Sequence, residues 1–433
     1  MNSYKNFKYI TFVLLFCILT YSFSQSFQIL GDVNNDGTVD VSDIEQTIQI
    51  ILGVPPNDYE LWAADVNHDE LIDVFDIVLM VTMILGIDCP DDYHPCFYNL
   101  LECCFDTTSH NFTWTMDTLG IYNSYLLDVA IINENDIWAA GEIKLDLYGY
   151  EKFNAVHWNG SEWEFWRIVP EGFAYSSNLS VFAFSSDDVW MCSTGPMHWN
   201  GEEWTAWGVA GGWPYNVGWI KAMWGTSSSD LYFIGNDTSG SNIVHYDGVN
   251  FEMMDNPTET WLIDIWGSPD GSVVWACGKE VFEPYVLLRL QNGEWEIVIE
   301  KENVSTFYPD SISGAMYSVW TPSNDSVYVL TSYSLYRCPA NTSGEGTAIW
   351  QGNTSQWSNV KVRGNSEFDI ITISEPGWYW HFNGNNWNFH DMLNQYDIIR
   401  GANYKNNVAE IVGVDYYGIF NSRGLIYTGI RER

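Results

Sequence analysis

Two stretches of the chain are variants of one another. The first is Asp32-Val33-Asn34-Asn35-Asp36-Gly37-Thr38-Val39-Asp40-Val41-Ser42-Asp43. The second, 33 residues later, is Asp65-Val66-Asn67-His68-Asp69-Glu70-Leu71-Ile72-Asp73-Val74-Phe75-Asp76. Positions 1, 3, 5, 9 and 12 of each stretch carry an oxygen-bearing side chain, and position 7 (Thr38 or Leu71) offers its backbone carbonyl. An all-oxygen set within one turn of chain suits a hard dication that takes about 6–8 oxygens, as Ca²⁺ does. Without a cation the carboxylates of each loop would repel one another.

Behind each loop the apolar residues fall at helical spacing. Ile44, Ile48, Ile51 and Leu52 end at Gly53 with Pro55 beyond, and Ile77, Val78, Val81, Ile84 and Leu85 end at Gly86. A glycine just past the last turn predicts a left-handed cap in both cases. Pro55-Pro56-Asn57-Asp58 reads as the connector.

Two loop-then-helix units, with Asp rather than Glu at position 12 and no helix leading into the loop, resemble the dockerin module. The resemblance covers about 60 residues. It implies one Ca²⁺ held by Asp32, Asn34, Asp36, Thr38 (carbonyl), Asp40 and Asp43. A second would be held by Asp65, Asn67, Asp69, Leu71 (carbonyl), Asp73 and Asp76. Position 6 is Gly37 in the first loop and Glu70 in the second. Where the turn needs φ > 0, a Glu costs on the order of 1 kcal/mol, so the second site is expected to be the weaker. The resemblance also implies a cohesin-like or cell-surface protein as partner. Positions 10 and 11, which help choose that partner in dockerins, are Val41-Ser42 and Val74-Phe75, more apolar than the Ser/Thr pairs of the cellulosomal type.

The N-terminus has Lys5 and Lys8, an apolar run from Tyr9 to Thr20 and then Ser22-Phe23-Ser24, which predicts a signal peptide over residues 1–24 and an extracellular protein. No other run approaches the roughly 18 apolar residues of a membrane span. Net charge is −39, and no Lys or Arg occurs between Lys8 and Lys144. Such a surface repels nucleic acid and acidic lipid and favours divalent cations. Cys89, Cys96, Cys103 and Cys104 crowd the linker that follows the loops, and read as two disulfides with three possible connectivities. Their spacing, even with His94 nearby, matches no common zinc site. Cys192, Cys277 and Cys338 read as buried free thiols.

From residue 111 the chain repeats itself. One mark is Asp136-Ile-Trp138-Ala-Ala-Gly141, Asp188-Val-Trp190-Met-Cys-Ser193, Asp230-Leu-Tyr232-Phe-Ile-Gly235 and four later copies ending at Gly278, Thr331, Ser374 and Gly413. A second precedes several of these, as in Met223-Trp224-Gly225-Thr226. A third follows them: His157-Trp-Asn-Gly160, His198-Trp-Asn-Gly201, His245-Tyr-Asp-Gly248 and His381-Phe-Asn-Gly384, each with an aromatic a few residues on. Asn-Gly and Asp-Gly between alternating apolar residues mark hairpins. Four short strands in about 40–50 residues make one propeller blade, and seven units are present. The expected architecture is therefore multidomain. It comprises a small all-α dockerin-like module (26–87), a cysteine-rich linker (88–110) and an all-β seven-bladed propeller (111–433). The last resembles secreted bacterial Trp-rich propellers. Residues 112–118 read as a strand lacking its blade that closes the ring on the last one, although Leu425–Ile430 competes for that outer place.

The four repeated histidines lie on a wide ring, cannot converge on one ion, and are expected to brace the hairpin between the third and fourth strands of each blade. Trp213, Trp219 and Trp378 fall outside the repeat register and are the candidates for stacking on a glycan. Asp128 and Asp264, with Lys361 and Arg400 at matching positions, are placed toward the central channel. They would form an ion-paired lining, a ligand-binding ring, or the paired carboxylates of a glycosidase. Two functional readings follow. The first is a secreted, Ca²⁺-binding docking protein that tethers a non-catalytic propeller binding glycan or protein, in extracellular polysaccharide processing. The alternative is a glycoside hydrolase or lyase with its site at the channel.

Overall fold

The computed structural model describes residues 30–66, 71–84, 108–214, 217–237, 240–279, 284–301, 307–351, 359–374, 378–391, 397–418 and 421–432. Residues 1–24, expected to be a signal peptide, the four linker cysteines, Asn67, Asp69, Glu70 and Gly86 lie outside these residues. The chain forms two compact units, Met1–Asp106 and Thr107–Arg433.

The first unit holds three described helices, α1 (Val41–Ile51), α2 (Asp58–Ala64) and α3 (Val74–Ile84). Helix α1 starts on a capping box of Asp40 with Asp43 and ends at Leu52, followed by Gly53 at φ +100° as its glycine predicts. Helix α2 corrects the reading of this region as plain connector. Asn57 caps it and Glu60 returns the bond to the Asn57 amide, a signal present in the sequence as Asn-x-x-Glu. Val33, Ala63, Ala64, Val66, Leu79 and Met80 form the core, with Ile44 and Ile50 against it. Ile48, Ile51 and Leu52, expected inside, are exposed.

The second unit is built of seven four-stranded antiparallel sheets. Strand β1 (Phe112–Leu119) comes first in the chain but belongs to the last sheet. Blade I is β2 (Ile121–Asn133), β3 (Asp136–Lys144), β4 (Lys152–Trp158) and β5 (Trp163–Trp166). Blade II is β6 (Ser180–Ser185), β7 (Asp188–Cys192), β8 (Pro196–Trp199) and β9 (Trp204–Ala206). Blade III is β10 (Trp219–Ser227), β11 (Asp230–Asp237), β12 (Gly240–Tyr246) and β13 (Phe251–Met254). Blade IV is β14 (Leu262–Gly267), β15 (Val274–Gly278), β16 (Tyr285–Gln291) and β17 (Glu294–Lys301). Blade V is β18 (Met316–Trp320), β19 (Ser326–Thr331), β20 (Ser334–Pro339) and β21 (Thr347–Gln351). Blade VI is β22 (Asn359–Ser366), β23 (Asp369–Ser374), β24 (Trp378–Phe382) and β25 (Trp387–Asp391). Blade VII is β26 (Asp397–Lys405), β27 (Val408–Gly418), β28 (Asn421–Arg431) and, outermost, β1. The competition for that place is thereby resolved: Leu425–Ile430 lies in the third strand, and β1 pairs with it from Phe112↔Arg431 to Leu119↔Gly424. Each first strand packs on the next, and β26 packs on β2 to close the ring.

The repeated sequence marks acquire physical reasons. Six first strands bulge at one place: between Leu126 and Asp128, Ile220 and Ala222, Leu262 and Asp264, Met316 and Ser318, Asn359 and Lys361, and Ile399 and Gly401. The bulge drives backbone toward the neighbouring strand. A Cβ at Gly141 or Gly278 would sit 2.2 Å from the carbonyl oxygen of Tyr125 or Trp261, so the second-strand mark ends in glycine there. The repeated histidines brace the second and third strands of their blades, rather than the third and fourth as expected. Nε2 of His157, His198 and His245 lies 2.8 Å from Oδ1 of Asp136, Asp188 and Asp230, and His381 lies 2.9 Å from Asp369. The first three rings stack at 4.2, 4.5 and 4.4 Å on Trp138, Trp190 and Tyr232. Asp136 and Asp188 also accept a hydroxyl from the next blade, Ser186 and Ser228, so the brace doubles as a latch between blades. Cys192, Cys277 and Cys338 are buried free thiols.

Replacing the latch carboxylate in Asp188→Ala strands His198 and Ser228 together. It is expected to lower propeller stability by about 1–2 kcal/mol in a urea titration.

Candidate metal centre and channel cluster

In the first loop, Asp32 and Asp43 are buried, 1% and 0% exposed, although both are carboxylates. Asp32 accepts from the amides of Asp36 at 3.0 Å and Gly37 at 2.9 Å, and Gly37 holds φ +93° in open space. Asp43 accepts from the amides of Asn34 at 3.0 Å and Asp40 at 2.8 Å. These bonds fold the loop around its first and twelfth residues, while Tyr59 hydroxyl donates to the Asp32 carbonyl. Asp36 is exposed, and hydrogen bonds from Thr38 side chain and backbone lower its pKa. Asp40 accepts from Ser42. In the second loop Asp76 is equally buried and accepts at 2.8 Å from the amides of Val66 and Asp73. Asp65, Leu71 and Asp73 are described, while Asn67 and Asp69 are not.

Among the described residues, no three of His, Cys, Asp and Glu converge as they would around a bound ion. The loop carboxylates turn instead onto the loop's own amides and hydroxyls. The donor set nonetheless fits a hard dication. It is all oxygen, and an amide bond leaves each carboxylate oxygen a further lone pair. Three carboxylates are buried in a unit whose stretch of chain, from Lys8 to Lys144, holds no Lys or Arg to neutralise them.

The channel cluster is differently built. Asp264 of β14 is fully buried and meets Lys361 Nζ at 2.6 Å and the two terminal nitrogens of Arg363 at 3.0 and 3.1 Å. It also accepts from Ser318 hydroxyl and, at 3.1 Å, from the Val319 amide, tying blades IV, V and VI together. Burial alone would raise its pKa. The Arg363 guanidinium and Lys361 ammonium overcome that and hold it well below the usual carboxylate range. Asp128 repeats the interblade part, accepting from Ser180 hydroxyl at 2.8 Å and the Val181 amide at 3.0 Å; burial raises its pKa against the opposing pull of Lys361.

Both oxygens of Asp264 are thus engaged by cations, as in an ion-paired lining. Arg400 does not share this register, contrary to expectation. It is the extra, exposed residue of the β26 bulge, and Gly401 takes the matching position. Arg363, the bidentate partner, was missed, although the period of two along β22 puts it on the face of Lys361. Of the candidate stacking residues, Trp213 is excluded. It is 4% exposed and packs edge-on against Phe233 and Phe251. Trp219 is 63% exposed.

Asp397 of β26 lies opposite Asp415 and accepts from Tyr427 hydroxyl at 2.8 Å, while its Oδ1 has no hydrogen bond. Burial pushes its pKa up to about 6.

Residues 30–85 match the dockerin type I domain. The chain is a dockerin-like module followed by a tryptophan-rich, seven-bladed β-propeller. Dockerin domains generally bind calcium and typically bind cohesins. No curated protein matches the chain. A solved structure described as "YCF48 bound to D1 peptide" is similar over 75% of this chain and 98% of its own, at 14% identity and a TM-score of 0.53, a likeness of fold. Among the described residues no helix is long and apolar enough to cross a membrane.

Asp264→Ala leaves two cations without their partner and is expected to cost about 3–5 kcal/mol of propeller stability in chemical denaturation. Asp397 behaves oppositely with pH. A carboxyl with a raised folded pKa favours the fold while protonated, so its contribution is lost as pH rises from about 4 to about 6. Asp397→Asn is expected to raise the melting temperature at pH 7 and leave it unchanged at pH 3.

Proposed function

We propose that the chain is an extracellular docking protein whose dockerin-like module, folded around Ca²⁺, tethers a non-catalytic propeller that recognises glycan or protein in polysaccharide processing. The observation that carries this reading is the dockerin match over residues 30–85, laid on loops whose twelfth residues, Asp43 and Asp76, are both buried among backbone amides. Asp32, Asn34, Asp36, Asp40, Asp43 and the Thr38 carbonyl would hold the first ion. Asp65, Asn67, Asp69, Asp73, Asp76 and the Leu71 carbonyl would hold the second. The positive φ at Gly37, where the second loop has Glu70, supports a weaker second site.

The module also carries an exposed apolar surface. Val41 and Val74, at position 10 of each loop, are 61% and 64% exposed, and Ile48, Leu52 and Val78 are exposed beside them in the helices. A surface of this kind suits an apolar cohesin-like partner. On the propeller, the commitment of Asp264 to Lys361 and Arg363 supports binding rather than catalysis. The similar propeller described with a bound peptide makes protein a reasonable ligand class beside glycan.

Chelation tests the reading on the full chain. EDTA is expected to abolish the helical far-ultraviolet signal of the first unit and release a cohesin captured in Ca²⁺, while the near-ultraviolet signal of the propeller tryptophans persists. Retention of the cohesin in EDTA would sink the Ca²⁺-dependent docking, and loss of both signals would sink the independence of the units. Asp43→Ala is expected to reproduce the effect of EDTA without chelator.

A further inference from the structure

The seam where the ring closes differs from the other blade junctions. In blades II, IV and VI the fourth-strand tryptophan leans on the preceding blade. Trp204 meets Trp138 at 6.0 Å, Trp295 sets its Nε1 3.4 Å from Met254 sulfur, and Trp387 packs on Trp350 and donates to the Ile349 carbonyl at 3.0 Å. In blade I the corresponding Trp163 meets β1, the strand that precedes blade I in the chain but completes blade VII. It packs against an apolar cluster that Val408, Val412 and Ile426 of blade VII share with blade I, and its Nε1 donates at 3.1 Å to Asp117, an exposed carboxylate.

Outside that apolar cluster the junction is concave. A cavity of about 270 Å³ lies between Trp158, Trp163, Thr115, Asp117 and Thr428. It adjoins a larger cleft of about 860 Å³ walled by Asn133, Ser109, Asn407, Arg431 and Glu432, and Glu134 and Asn135 of the β2–β3 turn line both.

From this juxtaposition we infer that the seam is a binding site for an uncharged oligosaccharide, a reading that rests on the propeller being a ligand-binding domain. Trp158 and Trp163, with centroids 5.6 Å apart, offer indole surface to the C–H face of a sugar ring. Amides and carboxylates beside them take its hydroxyls as donors and acceptors. Thr428 donates at 3.2 Å to the buried Glu410, which leaves the threonine oxygen as an acceptor toward the cavity. Charge selects the class of sugar. Asp117, Glu134 and Glu432 are acidic, and the cation in the lining, Arg431, is engaged by Asp369 at 2.8 Å. Uronate- or sulfate-bearing chains are therefore repelled.

Affinity electrophoresis of the full chain through gels containing a β-glucan, a xylan or a galactomannan, with alginate as the anionic control, tests the site. At least one neutral polymer is expected to retard the protein. Trp163→Ala and Asn135→Ala, the latter in an exposed turn with its melting temperature unchanged, are expected to weaken that binding by about tenfold or more, and Trp219→Ala to leave it intact. Undiminished retardation of both seam variants would place the glycan elsewhere and overturn this inference alone. Retardation by alginate that the seam variants lose would overturn the uncharged class. Failure of every polymer would overturn this inference together with the glycan half of the functional reading, leaving protein as the ligand.

Discussion

The propeller depends on one pairing made between the two ends of its own chain. Eight residues of β1 form the outer strand of blade VII, from Phe112↔Arg431 to Leu119↔Gly424. Without it β28 would be an open edge of unpaired amides and carbonyls, and the last blade would have three strands. The closure is fastened by one carboxylate. Asp369 of blade VI accepts from Thr108, which precedes β1, from Arg431 at the end of β28, and from Tyr404 and His381. His110 adds a second tie, its Nδ1 lying 2.8 Å from that of His381. Both termini of the ring converge on a charge that repeats, in blade VI, the histidine-bracing aspartate of blades I to III.

That shared use of repeat positions explains the economy of the fold. The aspartate heading the second strand holds its own histidine and, in two blades, the serine of the next. A second interblade tie runs nearer the axis, from Asp128 to Ser180 and Val181 and from Asp264 to Ser318 and Val319. Where Asp264 adds Lys361 and Arg363, the polar centre becomes an ion cluster whose charges satisfy one another. A buried cluster of this kind specifies blade register.

The dockerin-like module rests on a different constraint. A unit of this size has little apolar core, and three of its buried side chains are carboxylates with no basic residue near them in the sequence. Amide bonds to Asp32, Asp43 and Asp76 set the loop path, and a dication would supply the missing countercharge. The apolar residues that a strict helical pattern assigns to the core emerge in part on the surface, because the short helix α2 contributes Ala63 and Ala64 to the interior instead.

Much of this was legible in the residues. Loop chemistry reads directly because its ligands lie within twelve residues of one another, and the hairpin turns read because Asn-Gly and Asp-Gly need no distant partner. The histidines were recognisable as braces from their repetition. By contrast, the register of the channel residues was misjudged at Arg400. The shared bulge puts Gly401 level with Asp128, Asp264 and Lys361 and makes Arg400 the extra residue, and a bulge is specified by pairing rather than by a local signal. Trp213 looked free because it stands outside the repeat, yet Phe233 and Phe251 cover it. The sequence by itself determined the two modules, the oxygen-rich loops and the number of blades, all of which depend on spacing along the chain. Only the tertiary structure decided that β1 closes the ring, that Asp264 is neutralised by Arg363, and that a cavity lies beside Trp163 where the first and last blades meet, since each requires residues far apart in sequence to meet.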